Sequence, residues 1–316
     1  MAQTCSLLAC GLDDERTFDR ADYESARARW CPGCGDHSVL AAVQKLLAAE
    51  QLKPERTVFV SGIGCSSRFP HYVNTYGFHG LHGRALPVAT GIKLHRPDLD
   101  VFAVMGDGDC CSIGAAHWIH AVRYNVKMVA LLLDNNIYAL TKKQTSPTTT
   151  QGIASNTQPG GTYLPALNPL TVALGVTNAS FVAQTAEWSP PHLEATLRAA
   201  FAHPGFAFVR VLQRCPVYMP DQFAPAVSDR SLIELLTHQD GVDVPQLASA
   251  YKSRRVHDPS DLHEARRIAE DQQPVRLGVF YRDPSKPRYE ETRRRPLQTA
   301  DDKIARLNKE LDRYAV

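Results

Sequence analysis

Short, almost wholly apolar runs recur along this chain about 30 to 40 residues apart, each ending in glycine or a polar residue. Thr57-Val58-Phe59-Val60, Asp100 to Met105, Lys127 to Leu133, Ser180-Phe181-Val182 and Ala207 to Leu212 show no polar alternation and are too short for buried helices. Strands read this way when helices cover both faces of their sheet. Helical patterns do fall between them. Val39, Leu40, Val43, Leu46 and Leu47 form a one-face stripe with Asp36 placed as an N-cap, and Arg84 to His95 reads as a helix stopped by Pro97. Ser112 to Tyr124 and Leu193 to Phe201 complete the alternation. The pattern predicts an α/β fold, a doubly wound and mainly parallel sheet with right-handed crossovers. No internal repeat is visible.

Ligands of such sheets sit at the carboxyl ends of the strands. The polar and Gly-rich segments of this chain fall there: Gly62 to Ser67, Gly106 to Asp109, Asp134 to Asn136, and Cys215. Charge narrows the class of ligand. Lys and Arg number 35 against 33 Asp and Glu, a formal net charge of +2, far from the basic excess that a nucleic-acid backbone demands. No apolar run approaches the roughly 18 residues that span a bilayer, and Met1 to Leu12 lack a basic n-region. The expectation is a soluble, cytoplasmic protein with neither nucleic acid nor membrane as partner.

Gly106-Asp107-Gly108-Asp109 closes one strand and opens a helix, so backbone amides can face a phosphate with no side chain in the way. Asn135-Asn136 ends the neighbouring strand. Asp107 and Asn135 supply two oxygen ligands for Mg²⁺, with a backbone carbonyl near Ile137 and diphosphate oxygens to complete the octahedron. A plain strand-turn-helix with glycine at the bend is the alternative. The two-part spacing resembles the motif of thiamine diphosphate enzymes, a GDG sequence followed by an Asn pair.

Cys31-Pro32-Gly33-Cys34 suits a tetrahedral zinc site with His37, a redox pair, or an iron-sulfur site. Cys65 and Cys215 fall at strand ends on the edge where the diphosphate is placed, where four thiolates can surround one [4Fe-4S] cluster. Cys5, Cys10, Cys110 and Cys111 remain unassigned. Ser146 to Gly161, rich in Thr, Pro, Gly and Gln, is long enough to read as a functional loop that closes over a ligand.

The segments WCPGCGDHSVL, GIGCSSRFP, YGFHGLHGRALPVATGIKL, GDGDCCSIG, DNNIYALTKKQTSPTT and RCPVY together resemble the β subunit of the 2-oxoacid:ferredoxin oxidoreductases, over Trp30 to about residue 225. Arg68-Phe69-Pro70 and the run ending in Ser146-Pro147-Thr148 are more similar to the 2-oxoglutarate branch than to the pyruvate branch. The resemblance implies a sheet of the thiamine diphosphate-binding (diphosphate-domain) type. It further implies a cluster on Cys31, Cys34, Cys65 and Cys215, and Mg²⁺ on Asp107, Asn135 and the carbonyl of Ile137. Thiamine contacts map to Ile63, Gly64, Cys65, Ser66, His82, Gly108, Asp109, Ala139 and Leu140. Two departures stand out: Ala139 replaces a usual glycine, and Lys142-Lys143-Gln144 replaces Lys-Gly-Gln. Arg68 is placed as a partner for a substrate carboxylate, its guanidinium fork matching one bidentately.

The activity implied is coenzyme A-dependent oxidative decarboxylation of 2-oxoglutarate, or the reverse, with electrons leaving through the cluster to ferredoxin. Pyruvate is the alternative substrate, and a cluster-free thiamine carboligase or a zinc-binding interaction module the alternative class. No second pyrimidine-binding unit is visible, so the glutamate that activates the cofactor is implied to belong to an α (or fused γα) subunit, in a hetero-oligomer such as (αβ)2. Residues 1–225 are read as the cofactor-binding domain and 226–316 as an extended C-terminal arm for contact between subunits, with a surface helix over Asp301 to Tyr314. Arg293 to Arg295 form a basic patch that suits an acidic ferredoxin or plain solvent.

Overall fold

A computed structural model describes residues 16–238, 241–242, 244–247, 249–292 and 299–314. Its frame is a nine-stranded sheet in the order β2-β1-β3-β4-β6-β5-β9-β7-β8. The strands are β1 (Thr57–Ser61), β2 (Tyr76–His79), β3 (Asp100–Gly106), β4 (Met128–Asp134), β5 (Phe181–Ala186), β6 (Phe206–Leu212), β7 (Ile233–Thr237), β8 (Ser253–Val256) and β9 (Val275–Arg282). All pairings are parallel except that of β5 with β9. The main helices are α1 (Asp36–Ala49), α2 (Ala85–His95), α3 (Ala115–Tyr124), α4 (Pro169–Gly175) and α5 (Pro190–Ala202).

Both faces of the central strands β1, β3, β4, β6 and β5 are buried, which is why those strands carry no alternation in sequence. Val58, Val60, Val101, Ala103 and Met105 pack against α2, α3 and α4 on one face. Their neighbours Phe59, Phe102 and Val104 pack against α1 and α5 on the other. Phe59 stacks on Phe102 at 4.8 Å between centroids, joining β1 to β3 inside that second layer.

From β1 the chain goes outward to β2, then returns past β1 to form β3 and continues the opposite way. The winding reverses at the β1/β3 pair, and the crevice beyond their carboxyl ends is where such a sheet takes its ligand.

Two expectations are corrected. Asp36 is the first residue of α1 rather than its cap; Gly35 is the N-cap, and the Asp36 side chain is wholly buried. The segment after residue 225 is not an extended arm throughout, because β7, β8 and β9 extend the sheet and bury Ile233, Leu235 and Leu277 with Ala186 and Leu212. Beyond it, Ala300–Asp312 is helical, and residues 301–312 are exposed. Arg293 to Arg295, Cys5 and Cys10 lie outside the described residues.

Candidate active site

At the β1/β3 crevice lies a cavity of about 430 Å³, a size that suits a small-molecule cofactor. Ile63, Gly64, Cys65 and Ser66 reach it from the end of β1, and Gly106 to Asp109 from the end of β3. Asn135, Ile137, Ala139 and Leu140 reach it from the end of β4, and His82 from the loop before α2. All the thiamine and Mg²⁺ positions derived from the sequence therefore line one space. Tyr138, Thr141 and Gln144 also line it and carried no sequence expectation.

The turn residues show why these sequences bend here. Gly64 has φ +146, a backbone that only glycine adopts cheaply. Gly108 has an ordinary φ of −66 and is needed for space instead: a Cβ there would overlap the Tyr138 ring, whose hydroxyl donates to the Gly108 carbonyl at 3.0 Å. The left-handed non-glycine residues of the loop after β4 are Asn136 (φ 60), Lys142 (φ 71) and Lys143 (φ 69). Ala139 is not one of them, so its methyl meets no backbone strain at that position.

Asp109 ties three segments together. Its Oδ1 accepts from the Gly83 amide at 2.6 Å and the Ile63 amide at 3.2 Å, and lies 2.9 Å from His82 Nδ1. Burial raises its pKa, against the lowering pull of those two amides and His82. Its Oδ2 is buried with no hydrogen-bond partner and lies against Gly62, where a Cβ would overlap it.

Asp107 is 2% exposed. Its Oδ2 accepts from the hydroxyls of Ser146 and, at 2.8 Å, Thr148. Burial first, then the charge of Asp134, pushes its pKa up to about 7, while the two hydroxyls oppose the rise. Asn135 Oδ1 accepts from the Ile137 amide at 3.2 Å. A carboxylate, a carboxamide and a carbonyl grouped on one cavity wall are hard oxygen donors, and this set fits Mg²⁺. The loop from Ser146 was expected to close over a ligand. Its start instead runs beneath the cavity, with Ser146, Thr148 and Thr149 buried.

The four cysteines gather at one flank. Cys31 is exposed, Cys34 and Cys65 half-buried and Cys215 buried, and none is in a disulfide. Cys65 packs against the small cluster that contains Cys215. The Gly35 amide donates to the Arg214 carbonyl at 3.2 Å, and Gln213 Nε2 to Cys34 Sγ at 3.2 Å, joining the CxxC turn to the Cys215 segment. Trp30 Nε1 donates to the Cys65 carbonyl at 2.7 Å, closing the third side. Burial pushes the Cys34 thiol up and that of Cys65 up to about 12, so a cationic centre is what would draw their protons off. Among the described residues no three His, Cys, Asp or Glu side chains converge as a single ion requires, with zinc-sulfur bonds of about 2.3 Å. Four thiols brought close together from three separate segments are a donor set that suits a multi-iron cluster.

Asp36, beside Cys34, is pushed up to about 7 by burial, with the charge of Glu187 adding and the Cys34 hydrogen bond opposing. Arg68 does not line the cavity. It is half-buried, its guanidinium 5.9 Å from the Tyr72 ring centroid and close enough to Cys65 to lower that thiol's pKa. Cys110 and Cys111 are buried in the core beneath α2 and α3.

Comparison with known proteins fits this geometry. A family model described as the thiamine pyrophosphate enzyme C-terminal TPP binding domain matches residues 62–211. A second, describing the C-terminal part of the pyruvate ferredoxin oxidoreductase beta chain, matches residues 248–295. The β subunit of 2-oxoacid:ferredoxin oxidoreductase 1 from Aeropyrum pernix is 39% identical over 280 residues, covering 86% of this chain and 84% of that one. The chain belongs to the 2-oxoacid:ferredoxin oxidoreductase β-subunit family. The 2-oxoglutarate oxidoreductase subunit KorB of Mycobacterium tuberculosis is 48% identical over 195 residues, which is 62% of this chain but only 52% of that protein. Among solved structures, the 2-oxoglutarate:ferredoxin oxidoreductase of Magnetococcus marinus with 2-oxoglutarate, coenzyme A and succinyl-CoA bound superposes with a TM-score of 0.78 at 33% identity. That match covers 95% of this chain and 93% of the other. No helix among the described residues is long and apolar enough to cross a membrane.

Proposed function

We propose that this chain is the thiamine diphosphate-binding β subunit of a cytoplasmic, coenzyme A-acylating 2-oxoacid:ferredoxin oxidoreductase. Its substrate is 2-oxoglutarate, converted to succinyl-CoA and CO2, or formed from them in reverse. The observation that carries this reading is the convergence of Gly106–Asp109, Asn135, Ile137–Leu140 and Cys65 on one cavity at the β1/β3 reversal, flanked by three more thiols. The names of the mycobacterial and Magnetococcus relatives support 2-oxoglutarate. Pyruvate is a second reading, favoured by the description of the C-terminal family model.

In this reading Asp107, Asn135 and the Ile137 carbonyl hold Mg²⁺, and the bare backbone at Gly64 leaves room for the diphosphate to approach. Ile63, Ser66, His82, Asp109, Ala139 and Leu140 line the rest of the cofactor site. Bound thiamine diphosphate supplies the electron sink for decarboxylation, and a [4Fe-4S] cluster on Cys31, Cys34, Cys65 and Cys215 supplies one-electron transfer. Asp109 fixes the Ile63 and Gly83 turns at the cavity wall. Apolar walls at Leu133, Ile137 and Ala139 keep water from the reacting centre. Arg68 pairs with a substrate carboxylate from beyond the cavity edge. The site is completed by an α (or fused γα) subunit in an assembly such as (αβ)2, and ferredoxin receives the electrons.

The test is the visible spectrum of the anaerobically purified complex, before and after coenzyme A is added with 2-oxoglutarate or with pyruvate. A brown absorbance that bleaches with 2-oxoglutarate and not with pyruvate is expected. Bleaching with pyruvate alone selects the second reading. A colourless, zinc-loaded protein overturns both.

A further inference from the structure

The loop after Leu140 contains a hydrogen-bond arrangement that the reading above does not use. Thr148 Oγ1 lies 2.8 Å from Asp107 Oδ2 and 2.8 Å from Asp134 Oδ1. A hydroxyl has one proton, so two carboxylates facing it repel each other unless one is neutralised from behind. Arg210 does this: its Nε and Nη2 reach Asp134 Oδ2 at 2.8 and 2.6 Å, and its Nη1 donates to Gln184 at 3.1 Å. Asp134 is wholly buried and the Arg210 side chain 10% exposed, so the pair is held with little solvent screening. The remaining Asp134 acceptor site at Oδ1 takes the Asn136 amide at 3.2 Å, in the turn next to Asn135.

Both hydroxyls that reach Asp107, from Ser146 and Thr148, land on Oδ2. Neither occupies Oδ1. The loop that delivers them is fixed in turn, since the Thr148 carbonyl accepts from Asn136 Nδ2 at 2.7 Å and Thr149 Oγ1 donates to the Asn136 carbonyl at 2.6 Å. Asn136 itself has φ 60, a left-handed residue that asparagine tolerates. The end of β3, the end of β4, β6 and the loop after Leu140 thus meet at a single hydroxyl.

We propose that Thr148 is a positioning residue for the divalent cation: backed by the Asp134–Arg210 pair and helped by Ser146, it holds Asp107 by Oδ2 so that Oδ1 is presented to the metal. This rests on the assignment of Asp107 to Mg²⁺ and adds the groups that orient it, whose removal from metal sites typically costs 10–100-fold in affinity.

The experiment is a Mg²⁺ titration of the cofactor-stripped complex at fixed thiamine diphosphate, followed by tryptophan fluorescence and calorimetry, so that binding is read without turnover. Thr148→Val, which keeps shape and removes the hydroxyl, is expected to raise the half-saturating Mg²⁺ concentration about tenfold. Thr148→Ser is expected to stay close to wild type. Ser146→Ala, which removes the companion hydroxyl with little change of volume, supplies the same comparison if the valine variant does not assemble, and is expected to shift in the same direction. Unchanged Mg²⁺ dependence in the Val or Ala variant overturns the proposal, as does a Ser variant as impaired as Val, because the methyl would then be what matters. Asp107→Asn separates the two levels: if it too leaves the Mg²⁺ dependence unchanged, the cation assignment fails, whereas a loss there with no effect at Thr148 and Ser146 sinks only the positioning role.

Discussion

Gly108 and Tyr138 lock the turn after β3 against the loop after β4, and the lock is a matter of volume, not of backbone freedom. With φ −66 a side chain at Gly108 is conformationally permitted, yet its first carbon would occupy the Tyr138 ring. The ring cannot retreat without giving up its hydrogen bond to the Gly108 carbonyl. Overpacking of this kind costs about 1–3 kcal/mol, so Gly108→Ala is expected to weaken cofactor binding by the complex roughly tenfold or more. Tyr138→Leu should return part of the loss in the double variant, since residues in contact do not add independently. Calorimetric titration of the four forms with thiamine diphosphate and Mg²⁺ decides it, and strictly additive losses would disprove the steric lock.

At the scale of elements, legibility follows from how each element is stabilised. Strands β1, β3, β4 and, apart from Arg210, β6 carry mostly apolar runs because helices cover both faces, and their bounds match the expected ones within a residue or two. Strand β2 left no such trace: all four residues are exposed, and it is held by pairing on one side with β1. Strand β8 likewise half-exposes Ser253-Arg254-Arg255-Val256 at the opposite edge, which is why the last third read as an arm. In the site, glycines and paired asparagines announce themselves locally. Thr148 does not, because its meaning lies in carboxylates 41 and 14 positions away that only the sheet brings together. Helix α5 carries a further consequence. His192 is buried, with Nδ1 2.8 Å from Thr185 Oγ1 and Nε2 without a partner, and burial pulls its pKa down to about 4. The unfolded chain protonates it near 6.5, so between pH 6.5 and about 4 unfolding takes up a proton. Stability from this group is complete above pH 6.5 and declines as pH falls through that window, by about 3 kcal/mol in all at 1.36 kcal/mol per unit. Denaturant unfolding at several pH values should show a shallower acid loss for His192→Gln than for wild type; equal slopes would refute the assignment.

In the proposed reading the whole molecule supplies half of a site. No glutamate is among the described residues lining the cavity, and its two carboxyl groups are already engaged, Asp107 by Ser146 and Thr148 and Asp109 by Gly83, Ile63 and His82. The mouth is apolar and open: Leu81 is 74% and Ile113 53% exposed, and Ile63 and Leu140 are exposed beside them. Leu81 stands next to His82, and Ile113 against Gly83, so the bare surface adjoins the cavity itself. Exposed apolar surface at a binding cavity marks a place where another protein sits. In the proposed reading both features fit a partner chain that covers the opening and brings the activating glutamate with it. The isolated chain should retain its far-UV circular dichroism and bind Mg²⁺ and thiamine diphosphate, through its own Asp107 and Asn135. It should nonetheless exchange the thiazolium C2 proton for deuterium no faster than the free cofactor does in buffer. The assembled complex should accelerate that exchange by about 100-fold or more, the usual scale of a positioned acid-base group. Acid-quenched proton NMR measures both rates. An isolated chain that matches the complex would mean that the activating group lies within these 316 residues, and the division of the site between two chains would be wrong.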